Sequence, residues 1–246
     1  MSEIENFNSS GANGHEQARD RVELLKAENL NKSFHEGGEE ILVLKDLELE
    51  LGSGERLAIL GESGVGKSTL LHIMGTLDRP TSGKLTFRGV DLAGLDEHEL
   101  SRIRNRDIGF VFQFHYLLPD FDALENVMLP ALVAGWAWER ARASAMDLLE
   151  LVGLKDRVHH RPGKLSGGEQ QRVAVARSVV LEPHLVLGDE PTGDLDPHTG
   201  EEIQNLLLRL NEERGVALII ATHNHQLAAR IGRRLELRDG QLHPVE

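Results

Sequence analysis

The sequence lacks cysteine, has few aromatic residues and contains no hydrophobic run long enough to cross a bilayer. Without cysteine, disulfides and thiolate metal sites are excluded. The strongest apolar stretch, residues 216–221, has only the length of a β-strand. The first residues have no apolar core and are not predicted to be a signal peptide. We therefore expect a protein that is soluble by itself and that reaches a membrane only through a partner.

The charge balance is strongly acidic. The chain has 40 acidic and 27 basic residues, which gives a formal net charge of −13. This balance argues against a general nucleic-acid-binding role, which needs a basic surface. Residues 1–23 are polar and predict a disordered N-terminal arm. Residues 24–246 predict a single domain with subdomains, because their length suits one hydrophobic core with an insertion.

A phosphate-binding loop is predicted at Gly61–Thr69, which reads GESGVGKST. A buried strand, Leu57–Leu60, precedes it and a helical pattern begins at Leu70, as the pattern G-x-x-x-x-G-K-[ST] requires. Glycines let backbone N–H groups approach phosphate oxygens, and the helix N-terminus attracts the same anion. We expect Lys67 to reach the β- and γ-phosphates of a nucleotide and the Ser68 hydroxyl to hold Mg²⁺.

Alternation and short apolar runs predict two kinds of sheet. Leu47, Leu49 and Leu51 alternate with glutamates, which is typical of a half-exposed antiparallel strand. A turn is expected at residues 80–83 and a further strand at residues 84–90. Buried parallel strands are predicted at residues 57–60, 108–112, 185–189 and 216–222. The fold class is therefore α/β, with helices flanking a parallel sheet and an antiparallel β subdomain beside it.

A helical insertion is predicted at about residues 114–180. Asp122 and Glu125 form a capping-box pattern at the start of one helix, and a second helix is expected from about Trp138 to Gly153. Just before them, residues 114–119 form an aromatic and apolar cluster, FHYLLP. These side chains could pack in the core, but their place at the edge of the insertion favours contact with a partner protein.

The segment Leu165–Arg172, LSGGEQQR, starts another helix. Ser166 and Glu169 alone are an ordinary capping box. However, Gly167 and Gly168 in a first helical turn each cost about 1 kcal/mol relative to alanine. Such glycines allow a phosphate to approach the bare N–H groups of the helix end, and this favours a second phosphate contact.

Candidate catalytic side chains follow buried strands. Asp189 and Glu190 come directly after one strand, and His223 follows the next. Ligands are expected at the carboxyl ends of parallel strands, so Asp189 suits Mg²⁺ and Glu190 suits activation of an attacking water. A functional role for His223 is favoured over a structural one. The histidine pairs at 159–160 and 223–225 are not predicted metal sites, because no cysteine or carboxylate completes them.

Taken together, the motifs resemble those of the ATP-binding subunits of ABC transporters, from about Leu24 to the C-terminus. The resemblance rests on GESGVGKS, Gln113, LSGGEQQR, LVLGDE, TGDLD and His223 in this order. It implies an ATPase in which two copies close head to tail over two ATP molecules. Phe34, in a segment between predicted strands, could be a core residue, but the resemblance favours stacking on adenine. Gly188 and Asp194 depart from the usual family residues, without removing a catalytic group.

The resemblance also implies roles for particular residues. Glu190, His223 and Gln113 are expected to be catalytic, and Ser68, Gln113 and Asp189 are expected to serve Mg²⁺. The signature residues are expected to meet the γ-phosphate held by the other subunit. ATP is expected to bind Phe34, Gly61, Glu62, Ser63, Gly64, Val65, Gly66, Lys67, Ser68 and Thr69, and the signature comprises Ser166, Gly167, Gly168 and Glu169.

Within this family, residues 113–126 and the His-Arg-Pro before the signature are most similar to the ATPase subunit of lipoprotein-releasing systems. This implies two integral inner-membrane permease subunits, contacted through the region after Gln113, and a peripheral position on the cytoplasmic face of the inner membrane. ATPases of macrolide-export or cell-division complexes are the alternatives. A soluble ABC ATPase acting on DNA or ribosomes and a phosphate-loop kinase fit less well.

Overall fold

The computed structural model describes residues 22–245. The expected disordered arm over residues 1–23 falls outside these residues except for its last two positions, and Glu23 already begins the first strand. The strands are β1 (Glu23–Glu36), β2 (Glu39–Gly52), β3 (Arg56–Leu60), β4 (Ser82–Phe87), β5 (Val90–Asp91), β6 (Ile108–Phe112), β7 (Leu185–Asp189), β8 (Ala217–Ala221), β9 (Arg233–Arg238) and β10 (Gln241–Pro244). The α-helices are α1 (Lys67–Met74), α2 (Glu97–Arg106), α3 (Ala123–Val133), α4 (Trp138–Leu151), α5 (Gly167–Val179), α6 (Pro197–Arg214) and α7 (His225–Ile231).

A four-stranded antiparallel sheet has the order β2-β1-β4-β5. The predicted alternation in β2 is confirmed, since Leu47, Leu49 and Leu51 are buried and the glutamates between them are exposed. Three expectations about this sheet are wrong, and the first two concern residues 32–35 and residues 80–83. Residues 32–35 lie within β1 rather than between strands, because the two long strands pair along this part of their length. The turn expected at residues 80–83 ends earlier, since β4 begins at Ser82.

Gly83 explains the second error. Its φ is +91°, and a Cβ at this position would collide with the backbone of Asn29 in β1. The glycine is therefore needed for close approach of two strands rather than for a turn. The strand predicted over residues 84–90 also ends sooner than expected. Arg88 and Gly89 form the connection between β4 and β5, and both have positive φ.

The six-stranded sheet has the order β10-β9-β3-β8-β7-β6, and its strands are parallel except for β10. Successive residues of β3 point to opposite faces, as the strand period requires. Leu57 and Ile59 enter the core shared with the antiparallel sheet and α1, whereas Ala58 and Leu60 enter the core shared with the helical insertion. Phe112, Asp189 and Ala221 are aligned in register, so the residues that follow them emerge at one sheet edge.

The predicted helical insertion contains α3, α4 and α5, which pack on one another. The capping box of Asp122 and Glu125 is present at the start of α3. Helix α4 begins at Trp138, as expected, and Gly153 follows its end with a φ of +77°. Trp136 and Trp138 lie at the turn between α3 and α4, where Trp136 packs against the core and the Arg140 guanidinium lies 3.6 Å from its ring centroid.

The fold class is confirmed as a parallel sheet flanked by helices, with an antiparallel sheet and a helical insertion. Among residues 22–245, no helix is both long and apolar enough to cross a membrane.

Candidate active site

The predicted phosphate loop connects β3 to α1. Gly61, Gly64 and Gly66 all have positive φ, and α1 begins directly after them at Lys67. A Cβ at Gly66 would lie 2.7 Å from the Val43 side chain, so this position also requires a small residue for packing. No side chain caps the N-terminus of α1. Its backbone N–H groups are therefore available to an anion. The turn contains the other predicted loop residues, Glu62, Ser63 and Val65, and the first turn of α1 contains Ser68 and Thr69.

The Lys67 side chain folds back over the loop. It is only 7% exposed, and its Nζ donates hydrogen bonds to the Gly61 oxygen (2.8 Å) and the Glu62 oxygen (2.9 Å). The same Nζ lies 3.8 Å from Glu190 Oε1. The structure thus brings the predicted phosphate ligand and the predicted base together from segments far apart in the chain.

Glu190 is held by the residues that follow the neighbouring strand. Its φ is +46°, and its backbone N–H donates to the Ala221 oxygen. Thr222 Oγ1 donates to Oε2 (3.0 Å), and the His223 backbone N–H donates to Oε1 (2.9 Å). His223 Nδ1 also lies 2.9 Å from Oε1. These contacts fix the carboxylate of Glu190 and place His223 beside it.

Three oxygen-bearing side chains suit Mg²⁺. Asp189 ends β7, Gln113 follows β6, and Ser68 lies in the first turn of α1. The Gln113 Nε2 donates to Asp194 Oδ1 (2.8 Å), which leaves the amide oxygen of Gln113 as an acceptor. Hydroxyl, amide and carboxylate oxygens are the ligands that Mg²⁺ prefers. The donor set therefore fits this ion, and the departure to Asp194 gives Gln113 a hydrogen-bond partner.

The second departure, Gly188, has a packing reason. A Cβ at this position would lie 2.8 Å from Ile220 Cδ1 on the adjacent strand β8. Glycine at 188 therefore leaves room for the isoleucine. A small residue at 188 beside a large one at 220 keeps the core filled without strain.

Phe34 is not a core residue, because 42% of its side chain is exposed. The Lys32 ammonium lies 4.9 Å from the centroid of its ring, a distance at which a cation–π interaction forms. Lys32 is itself buried and donates to Asp78 Oδ1 (2.8 Å) and to the Arg79 oxygen (2.9 Å). These contacts fix the exposed aromatic ring from below.

The predicted signature forms the N-terminus of α5. Ser166 Oγ accepts from the Glu169 backbone N–H (3.2 Å), and Glu169 Oε2 accepts from the Ser166 backbone N–H (2.8 Å). The hydrogen bond from Ser166 is the main cause that holds the pKa of Glu169 below its usual range. The capping box is therefore present, as the simpler interpretation requires.

The two glycines of the signature differ in their surroundings. A Cβ at Gly168 would collide with Thr199 Cγ2 at the start of α6, whereas one at Gly167 would make an ordinary contact with Leu195, at 3.6 Å. Gly168 thus has a packing reason inside the subunit in addition to any role at a phosphate.

Gln171 was not among the predicted site residues. Its side chain is 1% exposed, and its Nε2 donates to the Phe112 oxygen (3.1 Å) and the Pro191 oxygen (2.6 Å). One amide of α5 therefore binds both the residue before Gln113 and the residue after Glu190. The sequence places Gln171 within LSGGEQQR, but nothing in that motif indicates which atoms its amide binds.

The aromatic and apolar cluster after Gln113 lies partly at the surface. Phe114 and Tyr116 are 62% and 64% exposed, and Leu118 is also exposed. Arg177 of α5 donates to the His115 oxygen (2.8 Å) and the Tyr116 oxygen (2.7 Å), which fixes the loop backbone. Burial lowers the pKa of Arg177 and of His115. The loop is thus anchored from inside while it presents aromatic side chains outside.

The histidine pair at 159–160 contributes to packing between segments. His159 Nδ1 lies 3.0 Å from Asp122 Oδ2, and His160 Nε2 lies 3.4 Å from Arg157 Nη1. The backbone oxygens of Val158 and His160 accept from Leu124 and Ala123 at the start of α3. This segment therefore joins the N-terminus of α3 to the loop that precedes the signature.

Comparison with known proteins gives a consistent result. Residues 44–193 match the family described as ABC transporter. The chain is 52% identical to the lipoprotein-releasing system ATP-binding protein LolD of Syntrophus aciditrophicus, over 89% of this chain and 98% of that protein. It is also 52% identical to the LolD protein of Bordetella pertussis, over 93% of this chain and 99% of the other.

Solved structures agree with this similarity. A dimeric ATP-binding cassette, MJ0796, in a post-hydrolysis state with ADP and Pi matches with a TM-score of 0.84 and 40% identity, over 91% of this chain and 98% of that chain. The protein cbiO1 from Clostridium perfringens, part of an ABC transporter complex, matches with a TM-score of 0.80 and 29% identity, over 90% of this chain and 87% of the other.

Proposed function

Because the chain belongs to the ABC transporter family as one of its ATP-binding subunits, we propose that it hydrolyses ATP to drive the release of lipoproteins from the inner membrane toward the outer membrane. The observation that carries the ATPase mechanism is the convergence of Lys67 and Glu190, 3.8 Å apart, at the ends of neighbouring elements. Identity of about one half to relatives named for lipoprotein release, over about nine-tenths of the chain, supports the transported substrate.

The phosphates of ATP occupy the loop between β3 and α1. Lys67 gives up some of its hydrogen bonds to the Gly61 and Glu62 oxygens and pairs with the β- and γ-phosphates. The N–H groups of the loop and of α1 donate to phosphate oxygens. Glu190 accepts hydrogen bonds from the attacking water and orients it toward the γ-phosphate. His223, which contacts Glu190 in the structure, donates to the γ-phosphate oxygens when ATP is bound. Phe34 stacks on the adenine ring.

Mg²⁺, when bound, neutralises charge that develops on the phosphate oxygens. Ser68, Gln113 and Asp189 would hold the ion, directly or through water. Gln113 begins the loop that carries the aromatic side chains, so the same residue belongs both to the site that would hold the ion and to that loop. Gln113 therefore serves as both a ligand and a hinge.

Each site is completed by a second copy of the chain. Ser166 and Gly168 of one subunit approach the γ-phosphate held by the other, so ATP favours the closed dimer and hydrolysis releases it. The dimeric state of the MJ0796 cassette supports this arrangement. The exposed aromatic side chains after Gln113 dock on two inner-membrane permease subunits, and the ATPase lies at the cytoplasmic face as a peripheral subunit.

Glu190→Gln tests the mechanism. The amide keeps the size of the carboxylate but cannot act as a base, and loss of a general base costs about 10²- to 10⁴-fold in rate. We expect the variant to bind ATP, to form a stable dimer and to hydrolyse ATP at least 100-fold more slowly than the parent. Light scattering and phosphate release measure the two quantities. Turnover at the parental rate would show that Glu190 is not the base.

A pull-down from solubilised membranes tests the substrate. The tagged chain is incubated with detergent-solubilised Gram-negative inner membranes, with and without ATP, and the retained proteins are identified. We expect two permease subunits with bound lipoprotein. Retention of a macrolide permease or of a division protein would contradict the proposed substrate while leaving the ATPase mechanism in place.

A further inference from the structure

Glu169 creates an electrostatic problem at the signature. It is the third residue of α5, the helix whose N-terminus meets the partner's γ-phosphate under the function proposed above. Its carboxylate accepts from the Ser166 backbone N–H and is therefore ionised at neutral pH. A carboxylate beside a triphosphate repels it, and this repulsion opposes the attraction of the phosphate to the helix N-terminus.

Arg157 supplies the opposite charge. Its Nε lies 3.1 Å from Glu169 Oε1, the carboxylate oxygen that the capping box leaves free. Arg157 belongs to a short 3₁₀ turn, Lys155–Arg157, whose following residues bind the N-terminus of α3 through the oxygens of Val158 and His160. The guanidinium is thus held by a segment with its own backbone contacts and reaches across to the start of α5.

We infer that Arg157 is a positioning residue for the composite ATP site, because it neutralises Glu169 and so allows an acidic signature to close on the γ-phosphate of the partner subunit. This inference rests on the proposed function, since it assigns Ser166 and its helix to the second half of each site. In this arrangement Arg157 acts through Glu169 and does not touch the nucleotide held in its own subunit.

The test uses the full-length chain with Glu190→Gln as background, so that ATP-driven dimerisation is measured without hydrolysis. Arg157→Met removes the charge and keeps most of the side-chain length. Exposed ion pairs couple weakly, and we expect roughly a fivefold loss at each site and so about a 25-fold weaker dimer, because the symmetric dimer contains two sites. ATP binding to the monomer is expected to remain at the parental affinity.

Rescue separates charge from structure. Glu169→Gln keeps the capping box but removes the negative charge, so the variant that combines Arg157→Met with Glu169→Gln is expected to regain the affinity of the dimer. The defect of Arg157→Met alone should also shrink at high salt. Lys155→Met is the matched control, since Lys155 lies in the same turn and pairs with Glu150 of α4, at 2.7 Å, rather than with Glu169. It removes an equal charge and should not weaken the dimer.

Each outcome has a distinct meaning. If Arg157→Met dimerises like its background, or if Glu169→Gln does not restore it, the inference is wrong. An equal defect in Lys155→Met would also overturn it, because the effect would then follow from net charge alone. If the Glu190→Gln background itself fails to dimerise with ATP, the proposed function fails, and this result is distinguishable from the others.

Discussion

Lys67 faces two backbone oxygens and one carboxylate, all within reach of a single ammonium group. A lysine that is almost fully buried is unfavourable unless such partners compensate for its desolvation. The arrangement keeps the charge at the mouth of the glycine loop, where an anion can replace the weaker contacts. The same contacts mean that Lys67 stabilises the loop even before ATP binds.

Lys67→Ala removes this charge. Hydrogen bonds to a charged group contribute about 1.5–3 kcal/mol, so we expect ATP to bind about 10- to 100-fold more weakly. Equilibrium binding of labelled ATP measures the loss. Lys84→Ala, at an exposed position of β4, is the control and should bind ATP normally. Unaltered ATP affinity in Lys67→Ala would remove the phosphate loop from the proposed site.

Gly168 allows a choice between two explanations at the scale of one methyl group. Gly168→Ala places a Cβ against Thr199 Cγ2, and overpacking of this kind costs about 1–3 kcal/mol. Thr199→Ser removes that methyl group and keeps the hydroxyl. If packing alone requires the glycine, adding Thr199→Ser to Gly168→Ala should restore ATP hydrolysis. We expect the double variant to recover thermal stability but to hydrolyse ATP at least about tenfold more slowly than the parent. Under the proposed function the γ-phosphate held by the partner subunit also approaches Gly168, and a Cβ there would obstruct it.

At the scale of elements, α5 connects the two halves of the subunit's chemistry. Its N-terminus carries the signature, and one turn later Gln171 binds the ends of the segments that carry Gln113 and Glu190. A movement of α5 relative to the sheet therefore strains both segments together. The buried amide gives the helix a fixed position relative to the carboxyl ends of β6 and β7.

Gln171→Leu removes both hydrogen bonds while conserving volume. Leaving a buried backbone oxygen without a donor lowers the free energy of unfolding by about 1–3 kcal/mol, so we expect a lower melting temperature. We also expect a reduced kcat with little change in KM for ATP. Gln204→Leu is the control, because Gln204 is also buried, in α6, and its side-chain oxygen accepts a hydrogen bond from Arg230 rather than binding the segments of Gln113 and Glu190. It should lose stability without a fall in kcat. Equal kcat in both variants would restrict Gln171 to a structural role.

The sequence predicted most elements, because their signals are local. Glycine-loop chemistry identifies the start of α1, the capping boxes identify α3 and α5, and apolar runs identify the central strands. The errors arise where distant backbone decides the conformation. Gly83 resembles a turn residue in sequence, but its neighbour in space is Asn29 of another strand. Residues 32–35 extend β1 because they pair with β2, a contact that local composition does not encode.

The site divides in the same way. Lys67, Glu190 and His223 could be predicted because motifs fix their distance from strand ends, and the register of β6, β7 and β8 brings those ends together. Gln171 and Arg157 could not be predicted, since their importance lies in partners that are 20 or 59 residues away for the first and 12 for the second. Helical spacing predicts which face of a helix a residue lies on, but it does not predict which atoms that residue contacts.

At the scale of the whole molecule, the residues proposed to bind nucleotide and the exposed aromatic residues lie on different segments, and Gln113 directly precedes the aromatic one. This separation predicts variants that lose one property alone. Phe114→Ser removes an exposed ring whose burial in an interface contributes about 1.5–3 kcal/mol. We expect retention of permease subunits in the membrane pull-down to fall at least about tenfold. ATP-driven dimerisation should stay at the parental level.

Val90→Ser is the control for this prediction. Val90 is also an exposed apolar residue, but it lies in β5 at the edge of the antiparallel sheet. The control should retain the permease subunits like the parent. Normal retention by Phe114→Ser, or equal loss in both variants, would contradict docking through the segment after Gln113.

The turn between α3 and α4 has an optical consequence. The chain contains two tryptophans, and both of them, Trp136 and Trp138, lie at this corner of the helical insertion. The phosphate loop and the signature contain none, so intrinsic tryptophan emission reports on a single region outside the proposed nucleotide site. With Arg140 against one ring and solvent around the other, a change in this emission marks an event at the helical insertion and needs no attached dye.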